Sequence, residues 1–279
     1  NSKSGDIRNI SIVPNDSKPG KTTMDLKASQ IVFNINKWEV ADKRLNLDIK
    51  DVLVNQVDGT IHAGTVKSDK KSDFSGIQFP VLVRNVILKN SNITYDKENQ
   101  PLTLNNLNAN FKNIEFNGKS DNSSLAIKVK DYTMTAKNFA YKTKFYNMTS
   151  GLLELNKNNV RIDRFAMKPL VSRAQFIRMI PVEKDLYDLE VNQIMAKGNW
   201  DLFSESKFIH ATNMTIYSAN ANIFRSKIPE DDPKEKPLYS RLLRSIKLPM
   251  FVDQLHLKNS TLEYEEDTPK SSGQGKLTF

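Results

Sequence analysis

The sequence predicts a mainly β protein built from repeated units, with a few short helices. Three observations lead there. A nineteen-residue segment occurs twice in recognisable form. Runs of alternating apolar and polar residues fill most of the chain. Hydrophobic residues make up only 38% of the 279, and Gly only 10, which is lean for a compact α/β enzyme of this length.

The repeat governs the reading. Residues 79–97 are FPVLVRNVILKNSNITYDK and residues 248–266 are LPMFVDQLHLKNSTLEYEE, aligned at a constant offset of 169. Pro80/Pro249, Val83/Val252, Leu88/Leu257, Lys89/Lys258, Asn90/Asn259, Ser91/Ser260 and Tyr95/Tyr264 are identical. A fainter third copy places 26–55 on 88–117 at an offset of 62, with Leu26/Leu88, Ser29/Ser91 and Ile31/Ile93 among the matches. Leu277-Thr278-Phe279 falls where Leu102-Thr103-Leu104 stands in the middle copy. The chain therefore reads as one continuous stretch, 1–279, of a longer repeat protein. Its units are 26–66, 79–117 and a truncated 248–279, with a mixed segment over 168–247.

Each unit is written with the period of a strand that buries one face. Leu45, Leu47 and Ile49 alternate with Asn46, Asp48 and Lys50; Leu107, Ala109 and Phe111 alternate with Asn108, Asn110 and Lys112. The phase then slips at Lys50-Asp51 and Lys112-Asn113, and again across Lys89-Asn90-Ser91. A slip turns the side chains over unless a bulge restores them. Its recurrence at matching places predicts a bulge or bend that curves the sheet. Two short strands joined by a turn fit the same pattern.

Along the chain, a strand at Ile7 to Val13 precedes a turn through Pro14, Pro19 and Gly20. Asp58-Gly59 is a hairpin signal ahead of Thr60 to Val66, and 67–77 reads as loop. Strands follow near Leu125 to Val129, Tyr132 to Lys142 and Leu152 to Leu155; the polar run 156–159 turns into Val160 to Met167. Ser172 caps a short helix over 173–180, stopped by Pro181. Strands at Tyr187 to Met195 and His210 to Ala219 flank a turn at Asn199 to Phe203. A charged loop, 229–237, leads into a second helix over 238–247, with Leu238, Leu242, Leu243 and Ile246 on one face. That stripe is expected to pack on the sheet, because the helix is short for binding a bilayer alone.

Composition narrows the function. There is no cysteine, so no disulfide framework and no thiolate chemistry. No run reaches the length of a membrane-spanning helix. The net charge of +9 comes from lysines scattered over strands and loops, densest at Lys67, Lys70 and Lys71. Without aromatics interleaved in a basic patch this does not describe a nucleic-acid binder. An anionic membrane surface or plainly solvated strand faces fit it better. His62, His210 and His256 lie far apart with no metal-ligand spacing. No nucleophile elbow or phosphate-binding glycine loop occurs, and carboxylates cluster at Asp231-Asp232 and Glu263 to Asp267. The expectation is a protein that is not an enzyme, with no catalytic residue, no metal and no cofactor.

The pattern LPxxVxxLxLKNSxLxYEE, preceded by PLYSRLLRSIK, resembles the AsmA-like periplasmic proteins of Gram-negative bacteria, and so does the run from Met167 to Lys227. The resemblance covers 80–279, reaches 1–78 only through the repeat, and rests on patterns rather than catalytic signatures. It implies an elongated, strongly curved antiparallel sheet forming a repeating β-groove with an apolar concave face. It also implies a periplasmic role in outer-membrane biogenesis, moving phospholipid between two membranes, with a membrane anchor outside this segment. Expected partners are phospholipid or another acyl lipid, flanking repeats of the same longer chain, and inner- and outer-membrane components.

Candidate groove-lining residues are those whose apolar character persists between copies: Leu82/Phe251, Val86/Leu255, Leu88/Leu257, Ile93/Leu262 and Tyr95/Tyr264. The competing expectation is that these residues pack against the chain's own helices in a structural or adhesive β-repeat protein with a filled core. A polysaccharide-acting protein using distant carboxylates is a third reading.

Overall fold

The computed structural model describes residues 3–14, 20–41, 44–64, 81–116, 127–203, 207–230, 250–268 and 275–279. The expected loop 67–77 with its lysine cluster, Asp231-Asp232 and the helix 238–247 lie outside the described residues.

The described residues form one long, open, strongly curled sheet of fourteen strands with one short helix among them. The strands are β1 (Ser4–Ile12), β2 (Thr23–Ala41), β3 (Arg44–His62), β4 (Val81–Lys97), β5 (Gln100–Phe116), β6 (Ile127–Lys142), β7 (Tyr146–Asn156), β8 (Asn159–Pro169), β9 (Asp185–Asp201), β10 (Phe208–Ser226), β11 (Met250–Val252), β12 (Leu255–Lys258), β13 (Thr261–Asp267) and β14 (Gly275–Thr278). The helix α1 (Arg173–Met179) sits between β8 and β9. Strands follow one another in chain order from β1 to β10, then β13 and β14, with β11 and β12 also pairing β10.

Among the described strands the pairing is antiparallel except at two junctions. β4 runs parallel to β3, and β11, β12 and β13 run parallel to β10. The duplicated segment is therefore the strand that opens a new unit after a parallel crossover. Leu47 faces Val81 in the first junction and Ile209 faces Met250 in the second.

The phase slips are bulges inside continuous strands in β3, β4 and β5, and in the second copy the slip at Asn259 separates β12 from β13. Asn90 has φ 49°, Asn259 51° and Asn113 50°, all in the left-handed region. Asn9, Gln56, Asn106, Asn138, Arg164 and Ser218 adopt the same conformation. Aligned across the registers, the row from Asn9 through Gln56, Asn90, Asn106, Asn138, Arg164 and Ser218 to Asn259 is one crease that crosses the sheet. At each strand two successive side chains point to the same outer face, which lengthens that face and curls the strand toward the other. Asn accounts for most of these positions because it bears the left-handed conformation at less cost than other non-Gly residues.

Both parallel junctions are fastened alike. Ser91 Oγ accepts from the Val57 amide at 3.0 Å and donates to the Lys89 carbonyl at 3.1 Å. Ser260 Oγ accepts from the Ala219 amide at 3.2 Å and donates to the Lys258 carbonyl at 3.1 Å. One polar pair recurs with the carboxylate moved to the opposite strand. Arg84 on β4 binds Asp48 on β3 at 2.7 Å, whereas Asp253, at the position matching Arg84, binds His210 on β10 at 2.9 Å.

Two local expectations give way. Asp58-Gly59 is not a hairpin but lies within β3, where Gly59 has φ 149° and a Cβ would meet the Asp25 carbonyl oxygen at 2.0 Å. Glycine is there for the close approach of β2. Asn199, Trp200 and Asp201 end β9 rather than forming a turn. The hairpin between β4 and β5 instead turns on Glu98 and Asn99, at φ 55° and 59°.

Helix α1 begins where the sequence places it. Ser172 accepts from the Gln175 amide and the Gln175 side chain accepts from the Ser172 amide, a capping box. Phe176 and Ile180 then bury against Leu186 and Phe224.

Candidate functional site

Directly opposed residues in neighbouring strands share a face of the sheet. Following the registers therefore sorts the molecule into two surfaces. One row runs Ile7, Ile31, Val54, Leu88, Ala109, Met134, Leu155, Val160, Ala196, Met214 and Leu255. Beyond the crease another runs Met24, Ile61, Tyr95, Leu102, Tyr141, Met148, Met167, Leu189, Ala221 and Leu262, and Phe279 pairs with Leu262 at its end. Neither row contains a charged side chain. Between them lies a third, with Ala136, Leu153, Ile162, Ile194, Ile216 and Leu257 in successive strands. Phe33, Val52, Val86, Phe111 and Tyr132 make a fourth.

At a strand spacing of about 4.8 Å, ten steps carry such a row roughly 48 Å along the curled surface. The opposite face is polar. Asn34, Asp51, Asn85, Lys112 and Asp131 form one of its rows.

The apolar face is the inner face of the curl. Phe203, beyond the end of β9, reaches across it to Phe111 on β5 and Tyr132 on β6, edge to face, with ring centroids 5.7 and 4.9 Å apart. Trp200 and Ala211 complete this buried cluster, which fills the inner face at one end of those strands. The Tyr132 hydroxyl has no hydrogen-bond partner among the described residues, and burial, aided by the Asp201 and Asp131 carboxylates, pushes the phenol up to about 12.

Away from that cluster most inner-face side chains are only half-buried. Helix α1 does not cover them. It packs on the polar side, where Arg173 stacks over the Phe224 ring at 4.4 Å and binds Glu265 at 2.8 and 2.9 Å. Leu186, Phe224 and Glu265 share one outer row. The inner face ends at a charged rim, where Arg225 binds Asp185 at 2.6 Å and Lys227 binds Glu266 at 2.7 Å.

Of the ten residues singled out as lining, eight stand in inner rows: Val86, Leu88, Ile93, Tyr95, Leu255, Leu257, Leu262 and Tyr264. Leu82 and Phe251 do not. Leu82 lies between Asp48 and Glu115, and Phe251 beside His210, on the polar face. A further phase slip, at Arg84-Asn85 and Asp253-Gln254, lies two to three residues along, so a persistent apolar character at this position did not reveal its face. The inner-face residues of β6 to β10 lay outside the duplicated segment, although their alternation was available in the sequence.

The acidic cluster is engaged in ion pairs. The Arg173 guanidinium and the Asn222 amide hold the Glu265 carboxyl down to about 2, and Lys227 and the Tyr264 hydroxyl hold Glu266 below its ordinary value. Lys276 binds Glu263 at 2.7 Å. His62 sits on β3, with six strands between it and His210 on β10, and His256 lies five ladder positions along from the His210 pairing. Among the described residues no group of three or more His, Cys, Asp or Glu side chains is placed to hold a metal, and no helix is long and apolar enough to cross a membrane.

The arrangement defines a class: an open, curled, repeat-built β-sheet with a continuous uncharged inner face. No protein-family model and no curated protein matches the chain.

Proposed function

We propose that the inner face binds acyl lipid, and that this chain is a segment of a periplasmic protein carrying phospholipid acyl chains along an apolar groove between inner and outer membranes. The observation that carries this reading is the uninterrupted apolar rows on the inner face, half-exposed and with α1 on the opposite side. Apolar surface of that extent on a soluble chain implies an apolar occupant. A curled sheet supplies a continuous lining for a hydrocarbon tail without closing a pore, and the tail leaves water along its whole length. No reacting group is needed for this, in keeping with a binding rather than catalytic role.

A second reading, a structural β-repeat protein with a filled core, draws support from the cluster of Tyr132, Trp200, Phe203 and Phe111.

Native mass spectrometry after mixing with a fluorescent phospholipid separates the two. The lipid reading expects a retained lipid that is lost in Met134→Glu and Met148→Glu, on two inner rows, and kept in Thr133→Glu on the outer face. Failure of the unmodified chain to take up the phospholipid, with no lipid extractable from the purified protein, sinks it.

A further inference from the structure

The inner face is graded across its strands, from an apolar edge to a polar one. At one edge Trp38, Leu47, Val81, Phe116 and Ile127 stand opposite one another in β2 to β6. At the other edge stand Tyr95 and Tyr141, in the row of Met148 and Leu189, and then Tyr146, Tyr187 and Tyr264 one row further out. The hydroxyls point outward. Tyr141 Oη donates to Gln100 Oε1 at 3.3 Å, Tyr187 Oη to Asp185 Oδ2 at 3.1 Å and Tyr264 Oη to Glu266 Oε2 at 2.9 Å, each acceptor lying nearer the edge than the ring. Beyond them Asp185, Arg225 and Glu266 close the face, directly opposed in successive strands. A tyrosine has an apolar ring and a wet tip, so a belt of them with aligned tips marks a boundary between hydrocarbon and a hydrated polar layer.

The charges at this boundary are mixed. Arg225 binds Asp185 through Nε and Nη2, at 2.6 and 2.8 Å, and its Nη1 has no partner among the described residues. Lys227 binds Glu266, and the carboxylate of Glu183 lies near enough to help hold the protons of both Arg225 and Lys227. Three carboxylates thus stand around two cations. A net anionic group would add to that surplus. A group carrying both a phosphate and an ammonium offers one charge to each kind of partner: the phosphate to Arg225 Nη1, the ammonium to the carboxylates. The depth of the face fits as well. The hydrocarbon of one leaflet is about 15 Å deep, half of a bilayer core, which is about five residues of strand. On β10 that distance runs from Ile223, opposite Tyr187 and Tyr264, to Ser218 in the crease, and it leaves the buried cluster around Trp200 undisturbed.

We propose that glycerophospholipid lies across the inner face with its head at the tyrosine-lined edge, and that Arg225, with Asp185, Glu183 and Glu266 around it, takes a zwitterionic head carrying a phosphate and an ammonium. The inference rests on the acyl-lipid reading of the inner face, and adds which edge the heads occupy and which head is preferred. A lipid that moves along the apolar rows keeps its head at that edge and does not invert.

The probes are phosphatidylethanolamine, phosphatidylglycerol and diacylglycerol with the same acyl chains, presented to the intact chain in mixed detergent micelles and counted by native mass spectrometry. Phosphatidylethanolamine is expected to be retained at least tenfold better than either of the others, and Arg225→Gln is expected to level the three. A second measurement uses the unmodified chain alone. Phosphatidylethanolamine with a photoreactive diazirine beside the glycerol is expected to label the strand ends that carry Tyr187, Ile223 and Tyr264. The same lipid with the diazirine at the tail end is expected to label residues at the crease, around Gln193 and Ser218. Uptake of all three lipids without preference overturns the assignment of the head and leaves the acyl-lipid reading standing. So does a reversed labelling pattern, which puts the heads at the edge of Trp38 and Ile127. Uptake of none of the three overturns both.

Discussion

Ser91 Oγ receives the Val57 amide at 3.0 Å, and the side chain that does so is completely buried. This one hydroxyl ties the bulge of β4 to the parallel strand beside it, and Ser260 repeats the contact with Ala219 at the second junction. Removing it strands a buried amide rather than merely deleting a contact. Ser91→Ala is therefore expected to cost about 1–3 kcal/mol. Ser260→Ala is expected to cost less, because Ser260 is only half-buried. Urea denaturation of the two variants checks the order; an equal effect would mean that burial does not set the value of this fastening.

Asn90 makes a separate prediction about the crease. At φ 49° its backbone is unfavourable for a residue with a Cβ, and Asn tolerates it through local hydrogen bonding. Asn90→Ala is expected to lose about 1 kcal/mol and Asn90→Gly to lose little or nothing. Asn259→Ala should add its own cost independently, since β5 to β10 separate the two sites. Thermal denaturation of the single and double variants tests this; a strongly non-additive pair would argue that the crease acts as one unit.

Much of this architecture was legible because alternation and repetition are local. Leu45 to Ile49 and Leu107 to Phe111 declare half-buried strands, and the shared slip at Lys89-Asn90-Ser91 declares the bulge. The register of Leu277 and Phe279 against the second copy was also readable, because offset alone fixes it. The asparagines inside strands were legible only in part. They suggest a wetted face, whereas Asn9, Asn90, Asn106, Asn138 and Asn259 are there for their backbone conformation. Gly59 misled because a DG pair is a turn signal only when the chain reverses; here it answers the approach of Asp25 in a neighbouring strand, a contact no local window contains. The parallel junctions, and the polar face taken by Leu82 and Phe251, depend on pairing between distant segments in the same way.

The pairing of Arg173 with Glu265 gives the molecule an acid-sensitive clasp between α1 and β13. The bidentate bond, with help from Asn222, lowers the Glu265 carboxyl from 4.5 to about 2. A carboxyl depressed in the folded state adds stability above its unfolded value and loses it as pH falls through the folded one. The contribution is thus complete above pH 4.5 and fades toward pH 2. Glu265→Gln keeps the shape but removes the titration, and is expected to cost about 2 kcal/mol at neutral pH, between the values of exposed and buried pairs. Its stability should also fall less steeply than that of the unmodified chain over this window. Denaturant midpoints measured across the pH range decide it; parallel profiles would remove Glu265 from the clasp.

Tyr132 is expected to act at the other end of the pH scale. Its hydroxyl is buried against Phe203 without a described partner, and the phenol is raised from 10.0 to about 12. Burial is the main cause, since it disfavours the phenolate, and the nearby carboxylates of Asp201 and Asp131 add to it. The folded state therefore keeps a proton that the unfolded chain has released. Stability is whole below pH 10 and falls as pH rises toward 12. Tyr132→Phe removes an unpaired polar atom while keeping the ring contacts, so at neutral pH it is expected to be neutral or stabilising by up to about 1 kcal/mol. In alkali it should abolish part of the loss but not all, because Tyr264 is raised to about 12 as well, by burial and its bond to Glu266. A destabilised Tyr132→Phe at neutral pH would show that the hydroxyl has a partner in the folded protein, and that the cluster at this end of the inner face is polar where the geometry makes it dry.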